Sequence, residues 1–433
     1  MLRLTEYEEG VLAGKEGRLK QVSLQNIVRY AKILGAAELC EVTKATVFCG
    51  AHNYLDVCRS EDIDEVFSRM NLAVEESIPF DRTYGNSYIQ SCVSPCDQDE
   101  HEPFGQSPEF FAKNALYLEQ ARKAGVIIIG SCAPYLTGWL PVRGEHFVTT
   151  ESSVTLMGNS LWGAMGNSDG IEAAFWSAIC GRTPKWGNHV EENRAGTHLV
   201  EVQAEIDGIL EFDLLGRAIG MRLPSGAVPV ISGRFGSVTF QKLRQLFTSL
   251  AVSSNCEMSH VVGHTPEART VEDAFRGREP AGTLMIDERA MVESYQAACD
   301  PGAGEIDLVS LGCPHYDIDQ IKRVALVLEG RRVHPGVHFM VWTAYPIKAM
   351  ADLNGYTRII EEAGGHIYTG SCPCTIGPTF LDKYSGCVFD SVKQAVAVKS
   401  ETARAVYLGD LQRCIDAAVA GRWEEEHRWP RSR

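Results

Sequence analysis

Three cysteines occupy one kind of place along the chain. Cys132 stands in Gly130-Ser131-Cys132-Ala133-Pro134-Tyr135, Cys313 in Gly312-Cys313-Pro314-His315, and Cys372 in Gly370-Ser371-Cys372-Pro373. Each follows a short apolar run: Val126–Ile129, Leu308–Leu311 and His366–Tyr368. Runs of this kind read as strands of a parallel sheet buried on both faces. Open α/β sheets place their ligand crevices just past the carboxyl ends of such strands. The flanking glycines allow close backbone approach, and the prolines fix the turns. Three thiolates converging from three loops could hold a metal or an iron–sulfur cluster. With no evident fourth ligand, one coordination position stays open, which separates a catalytic from a structural metal. An open iron polarises a substrate hydroxyl so that it leaves as water. The competing reading is packing, because free cysteines are among the most buried residues.

Other groups compete for the same chemistry. Cys92-Val-Ser-Pro-Cys96 and Cys372-Pro-Cys374 could build a four-thiolate zinc, but they lack the paired C-x2-C spacing of zinc ribbons. Cys40, Cys49, Cys58, Cys180, Cys256, Cys299, Cys387 and Cys414 lie in apolar settings and read as packing. Glu145-His146 and Glu151-Ser152-Ser153 are dense in groups that shuttle protons or hold polar substrate atoms. The glycine-rich stretch Gly158–Gly170 contains Asn159, Ser160 and Asn167 and has no Gly-Lys-Ser/Thr, so it is not a P-loop. It reads either as a nest of backbone N–H groups for an anion or as a tight connector before a helix over Ile171–Ile179.

The elements that must position these residues alternate. Leu24, Ile27, Val28, Ala31 and Leu34 recur at helical spacing after Ser23, a candidate N-cap, with Gly35 as the stop. Ser107-Pro108-Glu109 opens a second helix that ends at Gly125. Asp317 caps a helix through Leu328, His338–Trp342 is a strand, and Pro346 opens the next helix. Strands separated by helices of this length are βαβ units. Residues 197–240, with Val200, Val202 and Ile206 alternating, read as antiparallel strands or a connector. The expected organisation is an α/β chain with an N-terminal lobe over 1–196, a β-rich connector over 197–237 and a C-terminal lobe over 238–433.

Composition bounds the partners. The 433 residues carry 41 Lys+Arg against 56 Asp+Glu, a formal charge of −15. That balance disfavours nucleic acid and anionic membranes, whose binding rests on Lys/Arg neutralising phosphates. The acidic start MLRLTEYEEGVLAGKEG lacks the apolar run of a signal peptide, and no stretch of about 18 apolar residues exists to span a membrane. A cytoplasmic location is expected, where 14 cysteines stay reduced.

At these residues the chain resembles the catalytic large subunit of the aconitase X family, nearly end to end. The motifs are Ser131-Cys132-x-Pro134-Tyr135-Leu136, Gly144-Glu145-His146, Glu151-Ser152-Ser153, Asn159-Ser160-x-x-Gly163-Ala164 and Gly181-Arg182-Thr183-Pro184. They continue with Ser232-Gly233-Arg234, Val261-Val262-Gly263-x-Thr265-Pro266-Glu267-Ala268, Leu311-Gly312-Cys313-Pro314-His315 and Cys372-Pro373. The resemblance implies a multi-lobed aconitase-like α/β fold with parallel or mixed sheets, its cluster crevice at the carboxyl ends of the strands. It implies a hydro-lyase with an iron–sulfur cluster, 2Fe–2S in bacterial members, held by Cys132, Cys313 and Cys372. Family substrates are cis-3-hydroxy-L-proline or mevalonate 5-phosphate, and the family's base is a serine on a small swivelling domain. That domain has no match here, so a separate small subunit is the expected partner. Candidate catalytic residues are Glu151, Ser152, His146 and Lys393. Candidate substrate ligands are Ser153, Asn159, Ser160, Asn167 and His52.

Several family positions depart. Met165 replaces a usual arginine, Thr343-Ala344 a Thr-Ser-Arg, and Val396-Ala397 a His-Tyr beyond the retained Ser391 and Lys393. Losing an arginine removes a bidentate anion clamp that methionine cannot imitate. The altered pocket puts the known substrates in question, the phosphorylated one most of all. The alternatives are a cluster-binding paralogue with a sensing or partner-binding role, and a thiol hydrolase pairing one cysteine with His146 or His315.

Overall fold

A computed structural model of the chain describes residues 2–49, 58, 60–81, 88–97, 99–401 and 403–425. Three sheets organise it. The first holds β1 (Leu39–Val47), β2 (Tyr88–Ser91), β3 (His146–Val148) and β4 (Arg182–Pro184). β2 and β3 flank β1 in parallel, and β4 pairs antiparallel with the start of β1. The second holds β5 (His198–Ile206), β6 (Pro229–Phe235), β7 (His260–Val261) and β8 (Gly282–Ile286), all parallel, in the order β7-β6-β5-β8. A short antiparallel ribbon joins β9 (Gly304–Glu305) to β15 (Arg422–Trp423). The third sheet is all parallel: β10 (Leu308–Tyr316), β11 (His338–Thr343), β12 (Gly365–Thr369), β13 (Gly386–Phe389) and β14 (Ala405–Leu408), in the order β12-β11-β10-β13-β14.

Local sequence explains most of this. β10 is central and buried at every position, as a continuous apolar run requires when helices cover both faces. The helix Ile318–Leu328 starts at Asp317, whose carboxylate accepts from the Gln320 N–H in a capping box. Ser107 caps the helix Pro108–Lys123 through its hydroxyl, with proline in the first turn.

Three expectations are corrected. The first long helix spans Arg18–Leu34 with Gly17 before it, so Ser23 lies inside and donates back to the Leu19 carbonyl (2.9 Å). Val126–Ile129 is not a full strand: Ile127 bridges to Gln90, and then the Ile129 and Gly130 N–H groups go to the Ser91 hydroxyl instead of a ladder. Residues 197–240 do not pair as antiparallel strands. β5 and β6 pair parallel, and β7 and β8, beyond Val238, complete their sheet. The alternation that suggested antiparallel strands reports one-sided burial. Glu201, Gln203 and Glu205 face solvent, while Val200, Val202, Ala204 and Ile206 enter the core.

The second and third sheets share one continuous core, which also takes Val154, Leu156 and Met157 of the helix Ser152–Leu161. The first sheet has its own core. That helix therefore ties the N-terminal sheet to the rest. No helix among the described residues is long and apolar enough to cross a membrane.

Candidate functional site

Parallel pairing puts the carboxyl ends of β1, β2 and β3 on one edge, which brings Cys49, Cys92 and the segment Thr149–Glu151 together there. The Cys92 thiol meets the Thr150 hydroxyl at 3.2 Å. The third sheet does the same with Cys313 and His315 beyond the last regular pair at Leu311, Cys372 beyond β12, and Ser391 to Lys393 beyond β13. The two edges face each other. Tyr345 N–H donates to the Ile129 carbonyl (3.2 Å), and Ser94 N–H to the Gly370 carbonyl (2.6 Å). A Cβ added at Gly130 would sit 2.7 Å from the Gly370 Cα, so glycine is what lets the loops of Cys132 and Cys372 touch.

His315 pins the three loops. Its Nε2 is 2.8 Å from the Ser371 carbonyl and therefore carries the proton, leaving Nδ1 to accept from the Ser131 hydroxyl (3.1 Å). Its backbone N–H points at the Cys132 Sγ (3.5 Å). One fully buried imidazole two residues after Cys313 thus reaches the neighbours of both other cysteines. Burial pushes its pKa down to about 4, so it stays neutral. With both ring nitrogens engaged, it is a brace. The sequence held the signal, a histidine beside a strand-end cysteine, but not the partners.

Gln245, on the helix Phe240–Ser254, donates to the Cys313 carbonyl (2.9 Å) and to the Asp213 carboxylate (3.0 Å). The second sheet's helices thereby position a residue of the third.

Charge gathers around Lys393. Burial alone would lower its pKa, but Cys313, Glu151, Cys132 and Cys374 surround it and raise it, so its ammonium is retained. Glu151, at the N-cap of the helix Ser152–Leu161, is pushed up by burial against the pull of Lys393. Burial raises the thiols of Cys132 and Cys313, the latter to about 12. Cys372 goes the other way, downward, because the Cys374 thiol donates to it, with Thr375 (3.2 Å) and Lys393 adding to the effect. Cys132 and Cys372 are half-buried, Cys313 is buried and Cys374 is exposed.

The remaining candidates separate. Ser152 opens the helix beside Glu151, and Ser153 is buried in its first turn. Asn159 is saturated: it donates to the Gly166 and Glu257 carbonyls and accepts from Gly166 N–H and Arg194. The Ser160 hydroxyl accepts from Ser259 N–H, and Asn167 brackets Trp186 and Asn188. All three are 1% exposed or less. These bonds hold loops together, and burial keeps the three side chains from solvent. Gly158 and Gly166 likewise close on the Phe147 ring. His52 lies outside the described residues.

His146 stands at the opposite end of β3 from Glu151. Its Nδ1 is 3.0 Å from the His189 Nδ1, and Cys40 Sγ lies close by. Among the described residues these three form the only group of metal-ligating donors within 4.8 Å of one another.

Three family profiles match the chain: Aconitase X first domain over residues 1–192, second domain over 196–296 and third domain over 306–420. The phosphomevalonate dehydratase large subunit of Methanocaldococcus jannaschii is 27% identical, over 95% of this chain and 99% of its own length. The cis-3-hydroxy-L-proline dehydratase of Pseudomonas aeruginosa is 26% identical, over 97% of this chain and 70% of its own. A crystal structure of Thermococcus kodakaraensis aconitase X in its holo form superposes with a TM-score of 0.80 at 26% identity, covering 96% of this chain and all of that one.

Proposed function

Because the chain belongs to the aconitase X family, we propose that it is a dehydratase acting on a small hydroxy acid or hydroxy amino acid, cis-3-hydroxy-L-proline in kind. The observation that carries this is the convergence of Cys132, Cys313 and Cys372 on the charges of Lys393 and Glu151. The donor set fits a thiolate-held cluster. It offers three soft ligands, one ammonium to balance their charge, and a buried Ser371 hydroxyl with no partner among the described residues. When bound there, an iron–sulfur cluster, proposed as 2Fe–2S, supplies a Lewis acid for the leaving hydroxyl.

In the dehydration, a proton leaves the carbon alpha to the activating group. The C–H electron pair becomes the C=C bond, the β C–O bond breaks, and the hydroxyl leaves with a proton as water. Lys393 Nζ holds the substrate carboxylate, since its charge is secured by its surroundings. The Glu151 carboxyl, held toward its protonated form, hands its proton to the departing oxygen. Ser152 orients the substrate beside it. The base that takes the α proton belongs to a separate small subunit. That reading is supported by relatives named large subunits that this chain matches over nearly their whole length.

The test is anaerobic co-purification with a swivelling-domain subunit, followed by iron and sulfide assay and turnover of cis-3-hydroxy-L-proline and mevalonate 5-phosphate. Iron, sulfide and water loss from the proline are expected. A colourless, metal-free pair inert on every hydroxy acid would overturn the proposal. Turnover of the phosphate alone would move it to the other known substrate.

A further inference from the structure

We propose that Cys40, His146 and His189 form a second metal site, distinct from the thiol cluster, that binds one zinc-type divalent cation. The donors come from three elements. Cys40 is on β1, His146 opens β3, and His189 lies in the turn Gly187–His189. One ligand atom from each lies within 4.8 Å of the other two. That spacing is close to what one tetrahedral ion with bonds of about 2.0–2.3 Å requires, so small side-chain shifts complete it. Two imidazoles and a thiol suit zinc and its cobalt(II) surrogate, not magnesium or calcium, which take oxygen donors.

The surroundings favour occupation. His189 directs Nδ1 at His146, while its Nε2 is buried with no partner among the described residues. Thr183 Oγ1 and one Asp169 carboxylate oxygen are also buried with no partner among the described residues. Thr183 is the register partner of Cys40, and the field of Asp169 reaches the Cys40 thiol. Orphaned buried polar groups beside a donor set are costly unless a ligand or its bound water takes them up. The nearby cations are already compensated: Lys185 pairs with Glu38 (2.6 Å) and Arg194 with Glu267 (2.5 Å). Binding would release the Cys40 thiol proton to solvent.

The site lies at the amino end of β3, away from Glu151, and its three protein donors leave the fourth position of the ion to water. It ties β1, β3 and the 187–189 turn into one unit.

The experiment is cobalt(II) and zinc(II) titration of the full chain after chelator dialysis, with iron and sulfide measured in each sample. Wild type is expected to take one equivalent of cobalt with tetrahedral ligand-field and thiolate charge-transfer bands. Zinc is expected to raise its melting temperature. Cys40→Ala and His189→Gln lose the bands and the zinc-dependent shift, with affinity down at least about 100-fold, while Cys132→Ser keeps both. Absent bands in wild type, or bands retained in Cys40→Ala and lost in Cys132→Ser, overturn the proposal. His146→Gln, at a half-buried position, gives the same reading if Cys40→Ala does not fold. Because the readout is independent of iron and turnover, failure here and failure of the dehydratase reading are separable.

Discussion

The Val392 backbone N–H donates to the Asp213 carboxylate at 2.8 Å. Val392 begins the helix that carries Lys393, and Asp213 sits on the helix Ile209–Gly220 beside the second sheet. The same carboxylate accepts from Gln245, which holds the Cys313 carbonyl, and from Ser249. One buried acid therefore sets both a thiol and the ammonium that faces it. Asp213→Ala strands three buried donors and should cost about 2–4 kcal/mol of stability. Turnover should fall while iron content holds. A denaturant melt paired with an iron assay checks this, and unchanged stability would remove Asp213 from its positioning role.

Cys374 supports Cys372 without being needed as a ligand. Its thiol donates to Cys372 and lowers that pKa. Cys374→Ala is expected to retain iron and sulfide, whereas Cys132→Ser, Cys313→Ser and Cys372→Ser each lose them. Equal loss from Cys374→Ala would add it to the ligand set.

Lys393 is the charged group shared by Glu151, Cys132, Cys313, Cys372 and Cys374. Lys393→Met keeps length and apolar bulk but removes the ammonium. Turnover should drop by about 100-fold or more, with the chain still folded. Comparing the far-UV circular dichroism spectrum and kcat of the variant with wild type decides it. A kcat within threefold of wild type would take Lys393 out of the mechanism.

The runs before Cys313 and Cys372 do specify strands, and parallel pairing puts those two strand ends on one edge. The run before Cys132 forms only a bridge at Ile127, and its loop is brought alongside by the close approach of Gly130 to Gly370. What the sequence concealed is side-chain pairing across long separations. Asn159, Ser160 and Asn167 look like substrate ligands because they are polar and lie among glycines. In the fold they bond to Glu257, Ser259 and Trp186, at separations of 98, 99 and 19 residues. The neighbours of His146, Cys40 and His189, were hidden for the same reason: they come from segments no local pattern links. The strand direction at 198–206 was hidden because alternation encodes which face is buried, not which way a neighbour runs.

A half-buried histidine makes the fold acid-sensitive. The His338 ring lies between the Tyr384 hydroxyl (2.7 Å) and the Tyr368 hydroxyl (3.0 Å), and burial, with His366 and Lys383 adding, lowers its pKa to about 4. Unfolded, the ring titrates near ~6.5. Its contribution is therefore complete above that pH and is lost as pH falls toward 4, because the unfolded chain takes the proton first. Between pH 7 and 5 the loss should be roughly 1–2 kcal/mol. His338→Gln does not titrate, so melts at the two pH values should differ less in the variant. An equal difference would assign the acid sensitivity elsewhere.

Phe147 is the wedge on which the glycine-rich stretch closes. It is fully buried, with Trp139 edge-on at 5.4 Å. A Cβ on Gly158 would lie 2.5 Å from its ring, and one on Gly166 would overlap the ring from another side. At these two positions glycine supplies the space the ring needs. Gly166→Ala should cost about 1–3 kcal/mol by overpacking. Phe147→Leu, which shortens the wedge, should be destabilising alone yet recover part of that loss in the double variant. A cycle of four melts gives the coupling, expected at about 1 kcal/mol or more in the rescuing direction. Strict additivity would mean that the ring and the glycine do not meet as described. A loss of substrate affinity without loss of stability in Gly166→Ala would restore the anion-binding reading. Because Phe147 precedes Glu151 by four residues on the same strand and loop, the wedge also fixes where that carboxyl stands.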